Sequence, residues 1–540
     1  MSEKYYLDIG NAKDPLLKSQ LDRTIYRLLE MLPGILSWGT LIFVVFMSWA
    51  APVFIAFFII AFDIYWLLKT VFLSLHLRTS YNTMRRYMKI NWLKELELLF
   101  DAKPAQNSST EEKKGNIQPV NNLLAKIRDY RDIYHLIILP FVKEPFEVLD
   151  ASFSAILNSN YPKDRMIVVL AGEERAGEAA RKTAQKIEAK YADKFFKFLI
   201  TIHPDNIVDE LAGKGSNATW AARQAKKEII DSLGIPYENI IVSNFDSDTR
   251  VYPEYFARLT YCFLTCQNPY RSSFQPIPIY NNNIWEANAF SRVVATSGTF
   301  WHMMQQERPE RMATFSSHSM SFEALVELNF WNVKNVSEDS RIFWKAFLFF
   351  DGDYKVIPLY YPVSMDANLA KTFWRTSFNI YRQQRRWGWG AENIPYVIFG
   401  FLKNKKIALG DKIYWTGNHI EGFWSWATNA LILFLLGWLP LFLGGPEFNA
   451  RVLSYNLPQV TRFIMTLAMI GLISSAIIST LLLPPRPKNY PWHKSVTMVL
   501  QWILLPLTIL IFGAFPALDS QTRLLLGKYM GFWVTPKTRK

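Results

Sequence analysis

Apolar residues are distributed along this chain in two ways. In residues 32–48 and 52–75 they run almost without interruption, each stretch close to the roughly 20 residues that cross a bilayer as a helix. The same texture returns after about residue 390, in 423–443, 462–483 and 495–518. Between these regions, short apolar runs alternate with amphipathic ones. Strands are expected at 135–139, 166–170, 195–202 and 240–242, and helices at 146–158, 177–191 and 217–233. That alternation predicts an α/β unit with a doubly wound, mostly parallel sheet that binds ligands at the carboxyl ends of its strands.

Charge orients the apolar segments. Residues 1–31 are polar, with no apolar stretch near Met1, so no cleavable signal peptide is expected. Trp49-Ala50-Ala51 leaves room only for a tight hairpin between the first two spans. Arg78, Arg85, Arg86 and Lys89 follow the second, so the positive-inside rule puts the N-terminal segment and the α/β domain in the cytoplasm. A multi-pass protein of the plasma (inner) membrane is expected. Residues 76–100 read as a basic amphipathic helix along the membrane, and 101–121 as a flexible linker, within a region ending near residue 129. Asp63, near the middle of the second span, fits either a polar pathway or a helix shifted toward the interface. Three crossings after the domain would leave the basic tail 519–540 outside, against the charge rule. Pro506, Gly513 and Pro516 make 495–518 the segment expected to be re-entrant.

Composition sharpens this picture. Half of the 540 residues are hydrophobic, yet 20% are charged, and mean hydropathy is only +0.02, as for a soluble domain joined to spans. The net charge of +14 permits an anionic partner, but the basic residues cluster beside apolar segments, which favours membrane lipid over nucleic acid. Cys262 and Cys266, at helical spacing, suit a core better than a disulfide or zinc site.

Candidate chemistry lies in three stretches. The strand ending Ile240-Ile241-Val242-Ser243-Asn244-Phe245 runs into Asp246-Ser247-Asp248. Two carboxylates at a sheet edge suit Mg²⁺ or Mn²⁺ bridged to phosphate oxygens, although the same pair can simply cap a turn. Ser337-Glu338-Asp339 opens a helix, with Ser337 as its cap or an acid as general base. Gln383-Gln384-Arg385-Arg386-Trp387 reads either as an interfacial anchor or as a grip on a diphosphate and a sugar face. Gly213-Lys214-Gly215-Ser216 lacks the upstream glycine of a P-loop, leaving Lys214 as a donor-site contact.

Taken in order, Asp246-x-Asp248, Glu338-Asp339 and Gln383-x-x-Arg386-Trp387 between flanking spans resemble the processive family two inverting glycosyltransferases, of the cellulose, chitin and hyaluronan synthase type. Phe532-Trp533-Val534-Thr535-Pro536-Lys537 looks like the gating loop of cellulose synthases. The resemblance covers residues 130–390, the membrane layout and the tail. It implies a GT-A fold over 130–380, interfacial helices over 381–422, and a membrane-embedded enzyme that extends a polysaccharide from a nucleotide-sugar donor, a UDP-sugar foremost. On this resemblance Asp246 and Asp248 hold Mg²⁺ or Mn²⁺, Asp339 is the general base and Glu338 orients or binds acceptor. Gln383, Arg386 and Trp387 line the meeting point of diphosphate and acceptor, and Thr535 and Lys537 close over the nucleotide. Two departures stand out. Lys143 replaces an asparagine ahead of Glu144, and the nucleoside-binding aspartate after the second strand is missing, with Glu173 or Glu174 in its region. Transfer to a lipid or polyprenyl-phosphate acceptor, and a non-catalytic receptor for sugar nucleotide or polysaccharide, are the alternative readings. The resemblance also allows translocation of the polymer through the chain's own spans, and export partner subunits as further partners.

Overall fold

The computed structural model describes residues 4–101, 126–488 and 490–537. The expected linker falls, from residue 102 onward, outside them.

Four strands form the first half of the sheet: β1 (Tyr134–Pro140), β2 (Met166–Glu173), β3 (Lys197–His203) and β4 (Ile240–Asn244). They pair in parallel in the order β3-β2-β1-β4. Helices on both faces explain why β1, β2 and β4 read as nearly continuous apolar runs. Leu136 and Ile138 of β1 pack on the side of helix Lys214–Ala225, whereas Ile137 and Leu139 face helices Phe146–Leu157 and Glu178–Tyr191. This is the two-residue alternation of a strand turned to two cores.

β5 (Arg250–Val251), β6 (Ser272–Ile279), β7 (Ser319–Ser321) and β8 (Lys355–Ser364) complete an eight-stranded sheet in the order β3-β2-β1-β4-β7-β6-β8-β5. β7 runs antiparallel to β4 and β6, and β5 antiparallel to β8, while β6 and β8 are parallel. The sheet is therefore parallel in its first half and mixed in its second. β6 and β8, for which no strand was expected, carry Pro276, Pro278, Pro358 and Pro362, each lacking the donor a ladder needs. The structure accommodates them through a register shift between Gln275 and Ile277.

Four helices among the described residues are long and apolar enough to cross a membrane: Gln20–Ala50, Pro52–Tyr87, Val452–Leu481 and Lys494–Leu525. A fifth is formed if Leu409–Phe434 and Leu436–Leu443, bent by 46°, count as one. One expectation is corrected here. Residues 76–87 continue the second long helix to Tyr87, and a separate helix, Trp92–Asp101, follows. Trp92, Leu96 and Leu99 of that helix are buried in the domain core with Tyr255 and Leu259, and the Arg258 guanidinium lies 4.1 Å from the Trp92 ring. Its apolar stripe faces protein, so 76–100 is not one helix lying on lipid.

The last apolar segment is broken by a 3₁₀ turn at Gln501–Leu504 and a π turn at Leu510–Ala514. It meets the α/β domain at several points along its length. Arg292 Nε donates to Gln501 Oε1 at 2.7 Å, Trp502 stacks on Phe300, Phe512 meets Phe290, and Arg385 pairs with Asp519 at 2.9 Å. Gly388 permits a close approach, since a Cβ there would sit 2.8 Å from Ser520 Oγ. The segment thus runs against helices Ala289–Gln306 and Phe373–Gly388 and delivers the tail to the carboxyl edge of the sheet.

Candidate active site

β4 ends at Asn244 and the chain turns sharply before β5, so Asp246 and Asp248 sit at the carboxyl edge of the sheet beside residues from distant parts of the chain. Asp246 Oδ1 is 2.7 Å from Lys214 Nζ, and its Oδ2 accepts from Ser316 Oγ at 2.7 Å. Asp248 Oδ1 is 2.7 Å from Lys537 Nζ in the tail, and its Oδ2 accepts from the Asp366 amide at 3.0 Å. Burial would raise the Asp246 pKa, but the Lys214 and Lys537 charges outweigh it and hold the group below the usual carboxylate range. Asp366 experiences the opposite balance: burial, then the Asp248 charge, push it up to about 7.

Lys214 opens helix Lys214–Ala225 and links two motifs. Its ammonium lies 2.7 Å from Asp246 and 3.0 and 3.1 Å from the two carboxylate oxygens of Asp339. Asp339 is in the first turn of helix Glu338–Phe349. His318 Nδ1 is 3.5 Å from Asp339 Oδ1 and 2.9 Å from the Phe315 carbonyl. Trp331 Nε1–H donates to His318 Nε2 at 3.2 Å, which assigns the ring proton to Nδ1 and directs it toward those two acceptors. Burial lowers the His318 pKa against the raising effect of Asp339, so the ring is neutral. Glu338 is buried, and burial followed by the Asp339 charge pushes it to about 8.

The expected cap at Ser337 is replaced by a different device. The Ser337 hydroxyl donates to Glu392 Oε1 at 2.6 Å, where the Val336 and Ser337 amides also donate, at 3.0 and 2.9 Å. Glu392 Oε2 accepts from Trp389 Nε1 at 2.8 Å. One carboxylate thereby ties the end of the Gln383–Trp387 region to the start of the Glu338-Asp339 helix.

Along helix Phe373–Gly388, Gln383 Oε1 accepts from Asn368 Nδ2 at 3.4 Å, and the Trp387 ring lies 6.1 Å from that of Tyr280. Gln383, Trp387, Tyr280 and Asp366 line one small cavity. The Arg386 guanidinium stands 5.0 Å from the Phe532 ring of the tail. Phe532 also packs onto Gly213, where a Cβ would meet it at 2.8 Å. Arg386 Nε and Thr535 Oγ1 are buried without a hydrogen-bond partner among the described residues. These are groups that phosphate oxygens would satisfy.

Glu144 accepts from the Val142 and Lys143 amides at 2.7 and 3.0 Å and from Ser247 Oγ at 3.0 Å, so it braces the loop between the two aspartates. Glu173 stands apart from the acidic cluster. It ends β2, pairs with Arg175 Nε and lines a cavity of about 260 Å³. Asp366, Ser316, His318 and Glu392 carry no motif. Asp366 follows β8, whose prolines hid the strand, and the other three are defined by contacts with partners between 13 and 70 residues away. Among the described residues no three His, Cys, Asp or Glu side chains are arranged to hold a metal. The hard oxygens of Asp246 and Asp248 are of the kind that suits Mg²⁺ or Mn²⁺ in combination with phosphate oxygens, and each carboxylate is paired with a lysine ammonium.

Acids thus gather at the edge of a GT-A-like mixed sheet that carries long apolar helices. The profile of glycosyl transferase family group 2 matches residues 241–517, and the chain belongs to that family. No curated protein matches the chain. Solved structures similar to it include the mannosyltransferase PcManGT from Pyrobaculum calidifontis in complex with GDP-Man and Mn²⁺, at 13% identity, 81% coverage of this chain and 98% of that one, and a TM-score of 0.39. S. aureus TarS is similar at 11% identity over 65% of this chain and 91% of the compared one, with a TM-score of 0.35.

Proposed function

We propose that this glycosyltransferase is membrane-embedded and inverting, and that it transfers sugar from a nucleotide-sugar donor to the growing end of a polysaccharide. The observation that carries the proposal is the convergence of Asp246, Asp248, Asp339 and the tail through Lys214 and Lys537. In this reading the donor diphosphate lies between the two aspartates and Arg386. A bound Mg²⁺ or Mn²⁺ would neutralise and polarise that leaving group. Lys214 exchanges its carboxylate partners for phosphate oxygens as the donor enters, which frees Asp339. Asp339 then accepts the proton of the acceptor hydroxyl as that oxygen bonds to the anomeric carbon and the carbon–oxygen bond to the diphosphate breaks. Attack opposite the leaving group inverts the configuration.

His318, neutral and fixed in tautomer, orients Asp339 without competing for its proton. Glu338, largely protonated, stands beside it without adding a second negative charge. Gln383 and Trp387 receive the acceptor's terminal sugar, and Thr535 and Lys537 close the site against water. We further propose a multi-pass protein of the plasma membrane with a cytoplasmic domain, its last apolar segment re-entrant. Contacts of that segment at Gln501, Phe512 and Asp519 with the domain support this, as does the tail's reach to Asp248.

The test is nucleotide release by detergent-purified protein with Mn²⁺ or Mg²⁺ across UDP- and GDP-sugars, with products sized. Metal-dependent formation of long, glycosidase-sensitive chains, lost in Asp339→Asn with donor binding kept, is the expected result. A lipid carrying a single sugar would replace the polymer reading with the lipid-acceptor one. Donor binding without turnover across the panel and a range of acceptors would leave a receptor.

A further inference from the structure

The cavity of about 260 Å³ at the carboxyl ends of β2 and β3 is lined by Glu173, Arg175, His203, Asp205, Glu210 and Ala212, among others. Ala212 is two residues from Lys214, whose ammonium reaches Asp246. The cavity wall is thus continuous in the chain with the residue proposed to hold the phosphates, and the proposal is that a nucleoside diphosphate with its phosphates at Lys214 lays its base here. That statement rests on the donor site proposed above.

The cavity's polar pattern is specific. The Glu173 side chain is only 4% exposed, and Arg175 Nε pairs with its Oε2. Beyond that contact the pair offers a ligand the remaining guanidinium N–H groups, then the second lone pair of Oε2 and the oxygen Oε1, a donor followed by two acceptors. His203 is occupied by Glu210, its Nε2 2.9 Å from Glu210 Oε2, and Asp205 adds a further carboxylate to the wall. The lining is thus richer in acceptors than in donors.

Among the four common bases, one edge complements that row. Guanine presents the O6 acceptor, then the N1–H and N2–H donors. Uracil presents one N–H flanked by two carbonyls, so a second carboxylate oxygen would face a carbonyl oxygen. Adenine and cytosine place an acceptor nitrogen where the carboxylate needs a donor. A volume of about 260 Å³ admits any of the four, so hydrogen-bond pattern decides. We infer that this cavity selects guanine, with Glu173 accepting from N1–H and N2–H and Arg175 donating to O6, and that the donor is a GDP-sugar. The length of Glu173 and its pairing with Arg175 are then what replace the missing aspartate, and they change the base selected.

The test is calorimetric titration of the full chain in detergent, with Mn²⁺, using GDP, UDP, inosine diphosphate and xanthosine diphosphate. GDP is expected to bind at least about tenfold more tightly than UDP, and inosine diphosphate, which lacks the 2-amino group, about tenfold more weakly than GDP, as for loss of a hydrogen bond to a charged group. Glu173→Gln turns an N–H toward the base and is expected to favour xanthosine diphosphate, with its C2 carbonyl, over GDP. The inosine comparison needs no variant and stands if Glu173→Gln does not fold. UDP binding as tightly as GDP, or inosine diphosphate binding equally with GDP, overturns guanine selection and leaves the glycosyltransferase reading standing. Absence of binding by every diphosphate overturns both.

Discussion

Replacing Glu392 isolates the device that holds the proposed base in position. Its carboxylate accepts four hydrogen bonds, from the Val336 and Ser337 amides, the Ser337 hydroxyl and the Trp389 indole, and the side chain is buried. Alanine would leave two amide donors and one indole donor without a partner; the hydroxyl can rotate to another acceptor. At about 1–3 kcal/mol for each stranded donor, the loss is about 3–9 kcal/mol, comparable to the whole stability of many domains. Glu392→Gln is the more informative change. Its amide oxygen can retain the three donors at Val336 and Ser337, but its NH₂ then opposes the Trp389 N–H. One bond and the charge assistance of the others are lost, a destabilisation of about 2–3 kcal/mol.

The functional effect is expected to exceed the stability effect. Asp339 lies two residues beyond Ser337, so slack at the helix start displaces it relative to Lys214, and a shift of about 1 Å lowers turnover roughly 100-fold. Thermal unfolding in detergent and nucleotide release are measured on the same preparations. A Glu392→Gln protein that melts with wild type and turns over at the wild-type rate would refute the reasoning. A stability loss without a catalytic one would reduce Glu392 to a packing residue.

Lys537→Met removes the ammonium from Asp248 while keeping the side-chain length, so Mn²⁺ should bind the nucleotide-free protein about tenfold more tightly, a change of about 1.4 kcal/mol. Unchanged Mn²⁺ affinity, measured by electron paramagnetic resonance, would count against Asp248 as a metal ligand. Trp387→Ala removes the ring beside Tyr280 and should shorten the product while nucleotide affinity changes less than about threefold. Products of wild-type length would return Trp387 to an anchoring role. Glu338 titrates near 4.5 when unfolded and near 8 when folded, because of burial and the Asp339 charge. Between those pH values the unfolded chain has lost a proton that the folded chain keeps, so stability contributed by neutral Glu338 falls as pH rises. Glu338→Gln should flatten the decline in melting temperature between pH 5 and pH 8, and an identical slope would refute the assignment.

Local pattern determined a good deal of this protein. The runs of β1, β2 and β4 are apolar because helices cover both faces, so strand and flanking helix were readable from composition and period alone. The long apolar helices were readable too, since an uninterrupted apolar run of that length has few other solutions. Asp246, Asp248, Asp339, Gln383, Trp387 and Lys537 were singled out by the resemblance of their motifs, each of which alone also reads as a turn, a helix start or an anchor; that Asp246 and Asp339 meet through Lys214, and Asp248 meets Lys537, is a matter of tertiary structure. The second half of the sheet was not legible, because Pro276, Pro278, Pro358 and Pro362 run against the pattern of a strand, and β6 and β8 pair on both sides of a register shift between Gln275 and Ile277. Helix Trp92–Asp101 carries an apolar stripe that would serve lipid or protein equally, and its partner, helix Tyr255–Thr265, lies far along the chain.

Contacts of long sequence separation belong to the tertiary structure alone. Lys214 bridging two acids 93 residues apart, Glu392 pinning Ser337, His318 held in one tautomer by Trp331, and Lys537 reaching Asp248 across 289 residues leave no periodic mark. Periodicity records which face of an element is buried. Which groups meet at the carboxyl edge of a sheet, and which carboxylate therefore meets which ammonium, follows from the packing of the elements as a whole.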